Sequence, residues 1–311
     1  MDLREALDVK RGLDALFATR RGEGRPRKFA LGLATPVDNL TYRVAVRAEK
    51  EGDVTADERL LLEEETSGDL DLQVVGPIRP QSAAHMLAVS RGLAIGASVA
   101  HRLCRAGTLG FFARKADGTI GFVSNNHVIA AGDHGNDGDP VLHPSPYDGG
   151  CDERHAAGFL DGGYPRLSGK EVRVDCAFAR LAPGRSFDAG ALDDGRRLAG
   201  DPVIPYESAE VAKIGRTTGL TFGRVTAFDI DPPVYYTNEA TPCPGQIEIE
   251  TITDDPFSSG GDSGSLVFTP DGRPVGLVFA ASVIGGKKKR GHTYANPIGA
   301  VLKALDVTLL T

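Results

Sequence analysis

Apolar and polar positions divide the chain into stretches of different rhythm. Between residues 3 and 17, Leu3, Leu7, Leu13, Leu16 and Phe17 recur among charges, which predicts an amphipathic helix interrupted by Gly12. A basic, loop-like stretch runs from Arg20 to Lys28. Phe29 to Ala34 and Tyr42 to Val46 read as short strands. Asp57 to Glu65 reads as a helix whose Leu60-Leu61-Leu62 run supplies core. Leu70, Leu72 and Val74 alternate with Asp71 and Gln73 at strand period. Residues 1–80 therefore predict a small α+β domain.

Pro77, Pro80 and Gln81-Ser82-Ala83-Ala84 mark a boundary or linker. From residue 92 onward, short apolar runs alternate with glycine-rich turns, as in Gly121-Phe122-Val123-Ser124, Ile247-Glu248-Ile249-Glu250 and Val275-Gly276-Leu277-Val278-Phe279. That rhythm predicts a mainly β sandwich or barrel. A closing helix is expected over 297–306. Asn296 is its N-cap and Pro297 its first residue, and Ile298, Val301, Leu302 and Leu305 form its apolar face.

The 311 residues allow about two domains. A net charge of −7 argues against a broad nucleic-acid surface, which calls for a basic face. Neither a secretory leader nor an apolar run long enough to span a membrane is evident, so the expected location is cytoplasmic. Cys104, Cys151, Cys176 and Cys243 are irregularly spaced and are expected to be free thiols.

Three segments carry chemistry. His127 follows an apolar strand in Phe122-Val123-Ser124-Asn125-Asn126-His127-Val128. Asp175 lies among strand residues, where an unpaired carboxylate is costly. Ser263 sits in the turn Gly260-Gly261-Asp262-Ser263-Gly264-Ser265, which leads into an apolar strand. A serine hydroxyl becomes a nucleophile when an imidazole takes its proton, and a buried carboxylate fixes that imidazole. Glycines flanking the serine leave the N–H groups of Gly261 and Ser263 as natural oxyanion donors, and Gly264 lets the chain turn away. The bland alternatives are a structural turn at Ser263, a packed histidine at His127 and a turn aspartate at Asp175, with Asp161 as fallback carboxylate.

These segments resemble chymotrypsin-like serine proteases. The order His, Asp, Ser is that of the family, and Val211 to Val225 is similar to a Thr-Thr-Gly turn of the bacterial α-lytic and streptogrisin branch. Tyr294-Ala295-Asn296-Pro297-Ile298 resembles the last strand and helix entry. The resemblance spans roughly residues 92–306 and implies a double Greek-key β-barrel with a C-terminal helix. Its boundaries are expected near 92–185 for the first barrel and 200–296 for the second, within a protease domain of 81–311 behind the domain of 1–80. It implies peptide-bond hydrolysis of a protein or peptide substrate, with Ser263 as nucleophile, His127 as base then acid, and Asp175 as orienting carboxylate. Asp262 is implied to be buried beside a cation. No organic cofactor, metal, nucleic acid or membrane is implied. No Ile-Val-Gly-Gly-like sequence precedes the barrel, which puts activation by a freed amino terminus in doubt. The leading domain is a candidate regulatory or pro-region.

Phe257 stands where tryptic relatives carry an aspartate, which points to a small or medium apolar residue before the cleaved bond. Asp254 and Asp255 lie close by, and Phe279, Ala280 and Ala281 are expected at the substrate edge. His134, His143, Cys151 and His155 form a metal-capable set in a glycine- and aspartate-rich loop, although a solvated loop is the simpler reading. Lys287-Lys288-Lys289-Arg290 reads as a solvated loop tip. The competing function is a catalytically silent protease-fold scaffold that binds peptides or a partner.

Overall fold

The computed structural model describes residues 1–22, 27–36, 41–80, 93–151, 153–192, 196–204 and 209–311. The Gln81–Ala84 linker, residues 23–26 and Asp152 lie outside the described residues. Arg20 to Gly22, expected in a loop, close a helix that begins at Leu3 and runs through Gly12 without the expected interruption. Strands Glu210–Gly215, Gly219–Ile230, Gln246–Thr251, Thr293–Pro297, Pro274–Ser282 and Leu266–Phe268 pair in that order, and the last returns to the first. They close a six-stranded antiparallel barrel. Eight further strands form a second antiparallel sheet: Val307–Leu309, Phe111–Lys115, Ile120–Ser124, Ala177–Leu181, Ala156–Leu160, Pro140–Leu142, Ser98–His101 and Gly107–Thr108. This sheet is the first barrel. Its strands are buried on both faces, with the neighbours Phe111 and Phe112 and the neighbours Phe122 and Val123 all buried, in an apolar interior that continues to Ile214, Leu266 and Leu277 of the second barrel.

The helix Ile298–Leu305 packs Ile298, Val301 and Leu305 against that same interior. Two details differ from the sequence expectation. Pro297, not Asn296, is the N-cap and has no side-chain acceptor to offer, while the Asn296 side chain is engaged between the barrels. Beyond the helix the chain adds the strand Val307–Leu309 to the first barrel.

Residues 1–80 supply the helices Leu3–Gly22 and Ala56–Glu65 and the strands Phe29–Ala34, Arg43–Ala48 and Leu70–Val74. The second helix starts in a capping box between Thr55 and Glu58. Of its leucine run, Leu62 is buried and Leu60 is exposed. Leu31, Val44 and Val46 point to the helices and meet Leu13, Phe17 and Leu62. The opposite face, with Ala30, Ala34 and Ala45, packs on Ala227, Ile230 and Tyr294 of the second barrel. Phe29–Ala34 also pairs with Gly219–Ile230, so the leading unit continues the second barrel's sheet. This junction holds Arg47, fully buried, against the fully buried Glu248 at 2.8 Å. Burial opposes the Glu248 carboxylate, but the charges of Arg47 and His292 override it and hold its pKa down to about 2.

The barrels are clasped by a second buried pair. Arg216 Nε donates to Asp148 Oδ2 at 2.8 Å, and Ser98 and Ser145 hydroxyls donate to the same carboxylate. Asp148 titrates low because these bonds outweigh its desolvation. No helix is long and apolar enough to cross a membrane among the described residues.

Candidate active site

His127 lies in a four-residue helix, Asn126–Ile129, which begins where the apolar strand Ile120–Ser124 ends. Asn125 occupies the cap position without a side-chain cap bond, and its side-chain amide donates to the Asp175 carbonyl at 2.7 Å. That bond ties the turn to the Asp175 segment. His127 then grips one carboxylate twice, its backbone N–H to Asp175 Oδ1 at 3.3 Å and its Nδ1 to Asp175 Oδ2 at 2.5 Å. Asp175 is fully buried, and its own N–H donates to Asn296 Oδ1 at 3.1 Å. A proton on Nδ1 facing the carboxylate leaves Nε2 as an acceptor. Nε2 is buried and has no hydrogen-bond partner among the described residues.

Ser263 is fully buried in a loop shaped by two left-handed glycines, Gly261 (φ +100°) and Gly264 (φ +92°). A Cβ on Gly264 would lie 2.2 Å from Ser124 Oγ, so this close approach of the two barrels requires glycine. Thr108 stitches the halves together. Its carbonyl accepts from Ser124 Oγ at 2.7 Å, its N–H donates to the Ser263 carbonyl at 2.8 Å, and its hydroxyl donates to the Gly261 carbonyl at 2.9 Å. The N–H groups of Asp262, Gly264 and Ser265 are all bonded, whereas those of Gly261 and Ser263 find no acceptor among the described residues. Ser263 Oγ makes one long contact, to the Phe279 carbonyl at 3.5 Å.

Asp262 is fully buried, and its cation is Lys213, at 3.4 Å. Its carboxylate also accepts from the N–H groups of Thr217, Thr218 and Ser259 and from the Thr218 hydroxyl. Burial pulls the Lys213 pKa down, against the opposing charge of Asp262. The chain's amino terminus pairs instead with Asp69.

The remaining candidate residues are dispersed. Phe257 packs in the second barrel's core beside Val225 and Ile249. Phe279 is fully buried beside Ala227 and Tyr294. Ala280 and Ala281 lie on the strand Pro274–Ser282, opposite Pro80 and Arg79. Asp161 is bound to Lys115 at 2.8 Å. His143 Nδ1 contacts the Ser98 carbonyl, its backbone N–H donates to the His155 carbonyl at 2.8 Å, and Cys151 Sγ lies 3.8 Å from His155 Nδ1. No group of three or more His, Cys, Asp or Glu side chains suited to a metal occurs among the described residues. Lys288 pairs with exposed Asp254. All four cysteines are free.

Sequence reasoning missed Thr108, Lys213, Asn296 and Tyr236. Tyr236 lies 6.4 Å from the His127 ring, centroid to centroid, and its hydroxyl is raised by burial and by the Asp175 charge. Lys213 lay within a segment that drew notice for its Thr-Thr-Gly turn, and Asn296 within one that drew notice as a helix entry.

No family model matches the chain. Over 241 residues it is 29% identical to the rice protein NARROW LEAF 1 (Oryza sativa subsp. japonica). That match takes in 66% of this chain and 40% of the rice protein, so the chain spans less than half the length of that relative. Among solved structures, Thermobifida fusca Protease A is similar at TM-score 0.50 and 18% identity, over 70% of this chain and 100% of that one. A Nocardiopsis protease gives the same values. A glutamic-acid-specific serine protease is similar at TM-score 0.52 and 19% identity, again over 70% of this chain and 100% of that one. The fold is the chymotrypsin-like double β-barrel.

Proposed function

We propose that this chain is a serine endopeptidase acting through an acyl-enzyme. Ser263 Oγ exchanges its weak contact with Phe279 for His127 Nε2 and attacks the substrate carbonyl carbon as Nε2 takes its proton. The negative charge gathers on the carbonyl oxygen, where the Gly261 and Ser263 N–H groups receive it. Asp175 holds the imidazole in register and stabilises its charged form. His127 returns the proton to the leaving amine as the C–N bond breaks. A water, deprotonated by the same nitrogen, then attacks the acyl carbon, the bond to Ser263 Oγ breaks, and His127 passes the proton back to Oγ. Neither a metal nor an organic cofactor has a part in this scheme. The leading unit keeps the site latent or regulates it.

The observation that carries this reading is the 2.5 Å bond from His127 Nδ1 to a fully buried carboxylate, with Nε2 left unbonded. Intact mass after fluorophosphonate treatment tests it. One adduct is expected on the wild type and none on Ser263→Ala. The Ser263–Phe279 contact favours the scaffold reading, which a folded wild type that takes no adduct would support. A library varied at the residue before the cleaved bond tests the expected small or medium apolar preference, and a preference for Arg or Lys would overturn it.

A further inference from the structure

We propose that the strand Ile78–Pro80 occupies the stretch of sheet edge on which the acyl side of a peptide substrate must lie, so that peptides are cleaved only when this strand leaves it. The inference rests on the serine-peptidase reading and adds how that site is controlled. One flank of the strand Pro274–Ser282 pairs with Thr293–Pro297. Its other flank is taken in three successive blocks. Leu266–Phe268 covers Pro274 to Leu277, and the nucleophile loop covers Val278 through Gly264 N–H and the Ser265 carbonyl. Ile78–Pro80 then covers Ala280 to Ser282, antiparallel, with Pro80 opposite Ala280, Arg79 opposite Ala281 and Ile78 opposite Ser282.

Ser263 Oγ touches the Phe279 carbonyl, between the second and third blocks. A peptide joined to that oxygen through its carbonyl carbon extends away from it, and extended peptides bind by adding a strand to a sheet edge. The nearest such edge is Ala280 to Ser282. The chain's own strand holds it, ending nearest the nucleophile in a proline, which has no N–H to donate.

The strand is held on both sides but is short. Ile78 is buried, and its carbonyl accepts from Tyr235 N–H at 3.0 Å. The Arg79 guanidinium lies 5.0 Å from the Tyr235 ring centroid, yet Arg79 itself is exposed. Three residues with one buried anchor fall at the low-stability end of a domain, where local opening is easiest.

Two probes of different reach test the inference. Fluorophosphonate needs the nucleophile, the base and the oxyanion donors, whereas a tetrapeptide anilide also needs the edge. Ile78→Ala removes the anchor, and Arg79→Gly weakens the strand at an exposed position without touching a core. Both are expected to raise kcat/KM on the tetrapeptide anilide by roughly tenfold to a hundredfold, because the open fraction limits apparent affinity. The fluorophosphonate labelling rate is expected to stay unchanged, with a cooperative thermal transition reporting that each variant folds. A wild type labelled at Ser263 with an anilide kcat/KM that neither folded variant raises would overturn the inference and leave the peptidase reading intact. No label on folded wild type would remove that reading, and the inference with it.

Discussion

The two barrels hold their parts of the site by different means. The first presents His127 and Asp175 from largely apolar strands that are buried at successive positions, and so on both faces. The second presents Ser263 from a loop fixed by a buried Lys213–Asp262 pair, and meets the leading unit through a buried Arg47–Glu248 pair. An apolar interior tolerates exchange of one hydrophobic shape for another. A buried charge tolerates no loss of its partner, because the survivor keeps its full desolvation cost. The first barrel's tolerance should therefore be a matter of volume, and the second's a matter of pairing.

The sharpest break lies on the first barrel, at its one buried charge in the site. Asp175→Asn keeps the size but removes the carboxylate that sets the imidazole tautomer, and is expected to slow fluorophosphonate labelling by about 10⁴-fold. A loss below about tenfold would mean that the His127–Asp175 bond does not drive the nucleophile.

Next in size is the contrast itself. Glu248→Ala takes from Arg47 its fully buried partner and leaves it only the partly exposed Asp71, at 2.8 Å, and is expected to cost about 3–5 kcal/mol of unfolding free energy. Phe122→Leu in the first barrel is expected to cost less than about 1.5 kcal/mol. The double variant Arg47→Met/Glu248→Leu should lose less than Glu248→Ala alone. Denaturant midpoints for the three proteins decide the matter, and equal costs for Glu248→Ala and Phe122→Leu would dissolve the distinction.

That distinction also explains what the sequence disclosed. Phe29–Ala34, Leu70–Val74 and the closing helix follow from apolar periodicity alone, and the nucleophile loop from its glycines. Arg47 did not: in Arg43-Val44-Ala45-Val46-Arg47 it alternates with apolar residues and reads as a solvent-facing position, yet it is fully buried. Its partners Glu248 and Asp71 are 201 and 24 residues away, and no local pattern encodes a pairing at either distance. Asn296 misled for a related reason. Its place before Pro297 and an apolar helix face matches a cap, but its side chain serves Asp175 and Gln246 instead. Local rules fail here where a polar side chain is used over long range.

Asn296 gives the next smaller test. It links the carboxylate segment of the first barrel to the second, and Asn296→Ala leaves the Asp175 N–H and the Gln246 side chain short of a partner. A cost of about 1–3 kcal/mol is expected. A slower labelling rate at unchanged stability would instead mark Asn296 as a positioning residue.

The smallest effect at neutral pH, and the one that separates the barrels by titration, concerns Glu248. Its folded pKa is held down to about 2 from an ordinary value near 4.5. A depressed acid contributes stability that is fully present above its unfolded pKa and is lost as pH falls toward its folded one. Wild type should therefore lose stability between about pH 4.5 and pH 2 more steeply than Arg47→Met/Glu248→Leu, which has no such proton to bind. Near neutrality the pair exchanges no proton, so its contribution does not change with pH there. Urea midpoints at pH 5, 4 and 3 for both proteins make the comparison; carboxylates remote from Arg47 cancel in the difference, and Asp71→Asn in both backgrounds removes the one other carboxylate paired with Arg47. Parallel curves would mean that the Arg47–Glu248 pair is not what ties the leading unit's stability to pH.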